Sequence, residues 1–152
     1  MTPPDLLDYH RSHACAAQWR GFLRALGEEF EHALPEADLA RLMARIGERF
    51  AQAQPLPGAA SLDALEGAAN TMWSTLDWGF VAFEERPDQV LIRHAASPLS
   101  AALGVRASWA AGFLEGVYRG WFRAAGMAAG LDVRIADAGS QDLTTFVLSR
   151  VS

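Results

Sequence analysis

Three groups of side chains in this 152-residue chain have the types that thiol, metal or acid–base chemistry requires. The first lies near the N-terminal end, where Cys15 follows His10 and His13, with Asp5 and Asp8 upstream. A thiolate needs an adjacent base, and two histidines three apart on a helix can share a metal with a carboxylate. Proximity in sequence is not geometry, however. Catalytic Cys and His residues usually meet from distant segments, a lone cysteine on an alanine-rich helix is mostly a packing residue, and polar groups near a chain end are mostly solvated. Neither a catalytic residue nor a metal site is expected there. The second group is the acidic pairs Glu28-Glu29 and Glu84-Glu85. Glycoside hydrolysis needs two carboxylates facing each other across a bond, whereas adjacent residues on a helix or strand point apart. The third is Glu115, four residues before Arg119 in an otherwise apolar stretch. That order favours an i,i+4 pair, and a buried glutamate must be paired or neutral; a satisfied ion pair at a packing seam is expected. His94, at a strand end, reads as a hydrogen-bonded structural histidine.

Other chemistry is excluded by residue type. Every basic side chain apart from histidine is arginine, so neither a Schiff-base lysine nor a phosphate-loop lysine exists. No G-x-S-x-G motif occurs, and the Gly139-Ser140 pair falls in a predicted turn. The net charge of −5 lacks the electrostatic footprint of a nucleic-acid binder. With one cysteine, no intrachain disulfide can form. No cofactor is implied.

The elements that must position these residues follow from periodicity. Trp19, Phe22, Leu23, Leu26 and Phe30 mark one face of a first helix, from Leu6 or Tyr9 to Phe30. Leu39, Leu42, Met43, Ile46 and Phe50 mark a second, with Arg41, Arg45, Glu48 and Arg49 on its wet face. After Pro55–Gly58, Ser61 is suited to cap a third helix whose apolar face is Leu62, Leu65, Ala69, Met72, Trp73 and Leu76. The period then changes: Trp78 to Glu84 and Gln89 to His94 flank the turn Glu85–Asp88, a hairpin. A loop with Pro98 leads to a fourth helix, about Val105 to Ala125. Leu131, Val133 and Ile135 alternate with Asp132 and Arg134, and Leu143 to Val151 closes a second hairpin. The expected fold class is α+β: helices packed on a four-stranded antiparallel sheet made of two hairpins, in one domain spanning residues 1–152.

The fourth helix carries Gly112, Gly116 and Gly120 at a spacing of four. Glycine costs about 1 kcal/mol relative to alanine inside a helix, so the repeat suggests that another backbone approaches closely, in the core or at a subunit contact. Five Trp and eight Phe are a high aromatic load. Most fall on helical stripes and are expected in the core; one or two are expected to be exposed.

Two segments are specific enough to suggest a family. One is Asn70-x-x-Trp73-x-x-Leu76-x-Trp78-Gly79-Phe80-Val81. The other is Trp109-x-x-x-x-Leu114-Glu115-Gly116-x-Tyr118-x-x-Trp121, followed by Val133-Arg134. Together they resemble the D subunit of bacterial cellulose synthase, in order over most of the chain. The resemblance implies a non-catalytic accessory subunit of cellulose biosynthesis in biofilm-forming bacteria. It implies an α+β protomer in a homo-octameric ring, a tetramer of dimers. Such a ring would guide β-1,4-glucan chains during export and crystallisation and work beside the other cellulose synthase subunits. It also implies that Trp73, Trp78, Gly79, Glu115, Gly116, Tyr118 and Trp121 serve fold and assembly. It further implies inner passages lined partly by N-terminal segments. Here Asp5, Asp8, Tyr9, His10, Arg11 and Ser12 have the polar chemistry to exchange hydrogen bonds with sugar hydroxyls, although they do not match the family residue by residue. An alternative is a small-ligand-binding or sensor domain, to which the stretch from Glu115 to Val133 bears a shorter likeness. Without a leader-like segment or an apolar run of transmembrane length, the expected compartment is the cytoplasm, with association at the inner-membrane synthase complex and the periplasm left open.

Overall fold

The computed structural model describes residues 15–104, 108–137 and 143–151. Three helices come first: α1 (Ala17–Ala33), α2 (Glu36–Ala53) and α3 (Leu62–Leu76). The hairpin β1 (Phe80–Arg86) and β2 (Gln89–Ala95) follows, then the short helix α4 (Leu99–Leu103). A 3₁₀ turn (Ser108–Ala111) runs into α5 (Gly112–Ala124), and β3 (Leu131–Asp137) and β4 (Leu143–Arg150) end the chain. The four strands form one antiparallel sheet in the order β1-β2-β4-β3, so the two hairpins join through β2 and β4. This is the α+β arrangement expected from the alternation of periods.

Register fixes which side chains share the inner face. Val81 lies opposite His94, Ile92 opposite Phe146 and Val133 opposite Leu148. All six are buried. The intervening Ala82, Glu84, Arg93 and Arg134 are exposed on the other face. There the Glu84 carboxylate meets Arg93 diagonally across the strands at 2.6 Å. The carboxyl of Glu84 is held below its usual range, chiefly by the hydrogen bond from Arg93. The hairpin turn is tighter than expected, only Pro87 and Asp88 lying between the strands.

Close backbone packing joins α2 to α5. A Cβ at Gly116 would lie 1.9 Å from the Ala44 carbonyl oxygen, at Gly112 2.5 Å from that of Ala40, and at Gly47 2.0 Å from that of Phe113. The glycine repeat is therefore an intramolecular seam: backbone approaches backbone at distances only a residue without Cβ permits. This seam also rotates α2 relative to the expected stripe. Leu39 and Met43 are buried with Ala44, Gly47 and Ala51, while Ile46 is 40% exposed. Small side chains, rather than the largest apolar ones, define the contacting line.

Two further expectations are corrected. The fourth helix starts at Gly112, not near Val105. Before it, α4 ends at Gly104, whose φ of +68° is left-handed, and a 3₁₀ turn carries Trp109 against Phe30 of α1. Residues 105–107 lie outside the described residues. The α1 stripe is only partly covered. Gly27 is buried against the Leu103 backbone and Phe30 packs on Trp109, but Trp19 and Phe22 are 53% and 60% exposed. The first helix begins at Ala17, so Cys15 and Ala16 are not helical, contrary to expectation, and residues 1–14 lie outside the described residues. At α3, Ser61 caps as expected, its Oγ accepting from the Ala64 N–H at 3.1 Å.

Candidate functional site

The two sequence segments converge on one another. Trp73 on α3 is fully buried, stacked on Phe50 of α2 and on Trp78, with centroids 5.9 and 5.7 Å apart. It meets the edges of His94, at 5.1 Å, and Tyr118, at 6.2 Å. Trp121 closes the cluster beside Trp73 at 5.1 Å and donates its indole N–H to the Gln54 carbonyl. Edge-to-face and offset pairs of this kind add about 0.5–1.5 kcal/mol each beyond area burial.

Through this apolar cluster runs one polar thread. Trp73 Nε1–H donates to the Tyr118 hydroxyl at 3.0 Å. The hydroxyl contacts His94 Nδ1 at 2.5 Å, and His94 Nε2 contacts the Trp78 carbonyl oxygen at 2.8 Å. A carbonyl only accepts, so Nε2 carries the proton, Nδ1 accepts, and the tyrosine hydroxyl donates to it. Every member has its partner, as burial demands.

The electrostatics of this thread oppose reactivity. Burial pushes His94 down to about 4, partly countered by the bond to the Trp78 carbonyl. Burial also pushes Tyr118 well above its ordinary value, offset only in part by the bond from Trp73. Both rings are thus neutral at pH 7, and their exposures of 1% and 0% leave no approach for a substrate. The arrangement holds α3, α5, β2 and the turn at Trp78 together, and groups that are this deeply buried and shifted away from neutral pH are poorly matched to proton exchange.

Gly79, with φ +83°, makes the turn from Trp78 into β1, and a Cβ there would lie 1.9 Å from the Ala95 carbonyl oxygen. Glycine thus brings the Trp78 carbonyl to His94 and starts the strand in one step.

The second polar cluster forms around Arg119, whose side chain is 14% exposed. It donates to Asp132 at 2.6 Å, Glu115 at 3.2 Å, Glu48 at 3.4 Å and the Val133 carbonyl at 2.8 Å. The expected Glu115–Arg119 pair forms, and Glu115 also accepts the Ile135 N–H at 2.8 Å. Burial raises the Asp132 carboxyl, but the Arg119 bond and charge outweigh it and hold the group below its usual range. A mirror arrangement lies at the far side of the sheet: Asn70 takes both backbone groups of Val81, and Glu66 accepts the Phe83 N–H at 2.7 Å. Asn70 stands in the first motif, but neither it nor Glu66 was singled out from sequence. Their signal was a spacing of four on α3 just before a strand, which cannot be read until the strand's place is known.

Other expected sites separate. Cys15 is half-buried and its thiol contacts the Ala16 carbonyl. Asp5, Asp8, Tyr9, His10, Arg11, Ser12 and His13 lie outside the described residues. Among the described residues no group of three or more His, Cys, Asp or Glu could hold a metal, and no helix is long and apolar enough to cross a membrane.

Comparison with known families agrees with both segments. Residues 5–148 match the family model described as the D subunit of cellulose synthase. A comparison with curated proteins finds no match.

Proposed function

The chain belongs to the family of cellulose synthase D subunits and has a role in cellulose synthesis; from that premise we propose that it is a non-catalytic accessory subunit. In this reading copies of the chain form a homo-octameric ring that works with the other synthase subunits and guides β-1,4-glucan chains toward export and crystallisation. It acts on the cytoplasmic side of the synthase.

One observation carries the non-catalytic reading. The motif side chains that could do chemistry, Glu115, Tyr118 and Trp73, with His94, are engaged with one another or with backbone inside the fold. Exposed aromatic surface is supplied instead by Trp19, Phe22 and Phe80, the residue class enriched where proteins meet partners. The sensor alternative calls for an enclosed ligand space, and here the interior between α2, α3 and α5 is filled by stacked and edge-on rings. A thermal-shift screen with haem and apolar ligands would revive it if any gave a saturable shift.

A passage for a sliding polymer must bind each repeat weakly, or export stalls; the same trade-off operates in pores. Asp5, Asp8, Tyr9, His10, Arg11 and Ser12 are the proposed glucan contacts, because their side chains exchange hydrogen bonds with hydroxyls. Deleting residues 2–12 should leave assembly unchanged and lower cellulose yield or order in cells. Normal cellulose from that deletion would remove the contact role.

A further inference from the structure

In the strand order β1-β2-β4-β3, β1 and β3 are the edges. An edge strand presents a row of unpaired N–H and C=O groups, the template on which another strand adds. Here several of those groups, at the middle of each edge, are taken. On β1, Val81 N–H donates to Asn70 Oδ1 at 2.8 Å and Val81 C=O accepts from Asn70 Nδ2 at 2.9 Å. The Phe83 N–H donates to Glu66. On β3, the Val133 carbonyl accepts from Arg119, the Val133 N–H donates to Asp132 at 2.8 Å, and the Ile135 N–H donates to Glu115.

We infer that these side chains are clips that refuse an added β-strand at both edges of the sheet, so that copies of this chain associate through side-chain faces and not by strand pairing. The chemistry fits the role. A carboxamide presents its C=O and one of its two N–H bonds side by side, as a strand residue presents its own N–H and C=O, so Asn70 occupies the place a neighbouring strand's residue would take. The carboxylates of Glu66 and Glu115 accept a single edge N–H each, a charge-assisted bond stronger than the neutral bond a strand would offer. Each edge is held by its own helix, β1 by Glu66 and Asn70 of α3 and β3 by Glu115 and Arg119 of α5, with Asp132 of β3 adding a bond within the strand. The inference does not depend on the ring reading: a closed particle of any size needs edges that do not propagate.

Amide hydrogen exchange on the full-length chain tests the clips directly. The amides of Val81, Phe83 and Ile135 should exchange at least about tenfold more slowly than that of Glu85, the next edge-facing position on β1, a factor matching one hydrogen bond. Equal rates at Phe83 and Glu85 would overturn the inference. The double variant Glu66→Ala, Asn70→Ala, if its helical circular dichroism is unchanged, should form thioflavin-positive particles whose mass grows with concentration. A folded double variant with the parent's mass would equally overturn it. If that variant does not fold, Glu66→Ala alone is read by exchange. The Phe83 amide should speed up about tenfold while Val81 does not; no acceleration at Phe83 counts against the clip.

Discussion

Tyr118 joins two segments through a single oxygen. Its hydroxyl accepts from Trp73 and bonds to His94 Nδ1, so phenylalanine at this position would keep the ring contacts and orphan both partners. A buried donor or acceptor left unsatisfied costs about 1–3 kcal/mol. Tyr118→Phe should lower the urea midpoint by a corresponding amount with an unchanged slope, the mark of lost stability without altered compactness. His94 makes a second prediction. Its folded-state value of about 4 lies below the 6.5 of the unfolded chain, so on acidification the unfolded chain binds the proton first. The stability that neutral His94 contributes is complete above about pH 6.5 and is lost as the pH falls toward 4, a change of about 3 kcal/mol. Urea midpoints from pH 7 to 4.5 should show this slope, and a His94→Gln variant should show a flatter one. From sequence, His94 was legible as a structural histidine and Glu115–Arg119 as a pair, because both inferences need only the cost of burying polar groups. Their partners Tyr118, Trp78 and Asp132 were not legible, since they come from elements whose contact is set by the packing of α5 on the sheet.

At the scale of elements, the contrast between glycines is informative. Gly116 faces the Ala44 backbone, whereas a Cβ at Gly21 of α1 would meet nothing within 4 Å. Gly116→Ala must push α2 from α5 and should destabilise by about 2–3 kcal/mol or more, since the obstructing atoms are backbone. Gly21→Ala should stabilise the protomer by about 1 kcal/mol through helix propensity. Thermal melts of the two variants side by side would check both signs. The helices and hairpins were readable because periods of 3.6 and 2 are local properties. The start of α5 was not. Its apolar run continues upstream without a break in pattern, and the 3₁₀ turn there accompanies contacts from Trp109 to Phe30 and Glu31, 79 and 78 positions away in sequence.

For the whole molecule, the uncovered part of α1 is the feature a folded protomer leaves open. Trp19 and Phe22 form an edge-on pair 6.2 Å apart on a surface that the protomer does not bury. If copies assemble as proposed, light scattering on the purified protein should give a particle of eight 16.5 kDa protomers. A dimer would point to a dissociable assembly, and a monomer would remove the ring.

By itself the sequence determined the order of the four longer helices and the strands, though not the short α4, as well as the α+β class, the family motifs and the absence of lysine chemistry. Each depends on residue type or on spacing within one segment. Tertiary structure decided what each feature faces. It turned the glycine repeat inward onto α2, left Trp19 and Phe22 of an apolar stripe in solvent, and set Glu66, Asn70, Glu115 and Arg119 against the sheet edges. The reason is physical: periodicity states which side of an element is apolar, but which neighbour covers that side depends on backbone approach and on hydrogen bonds between residues far apart in the chain.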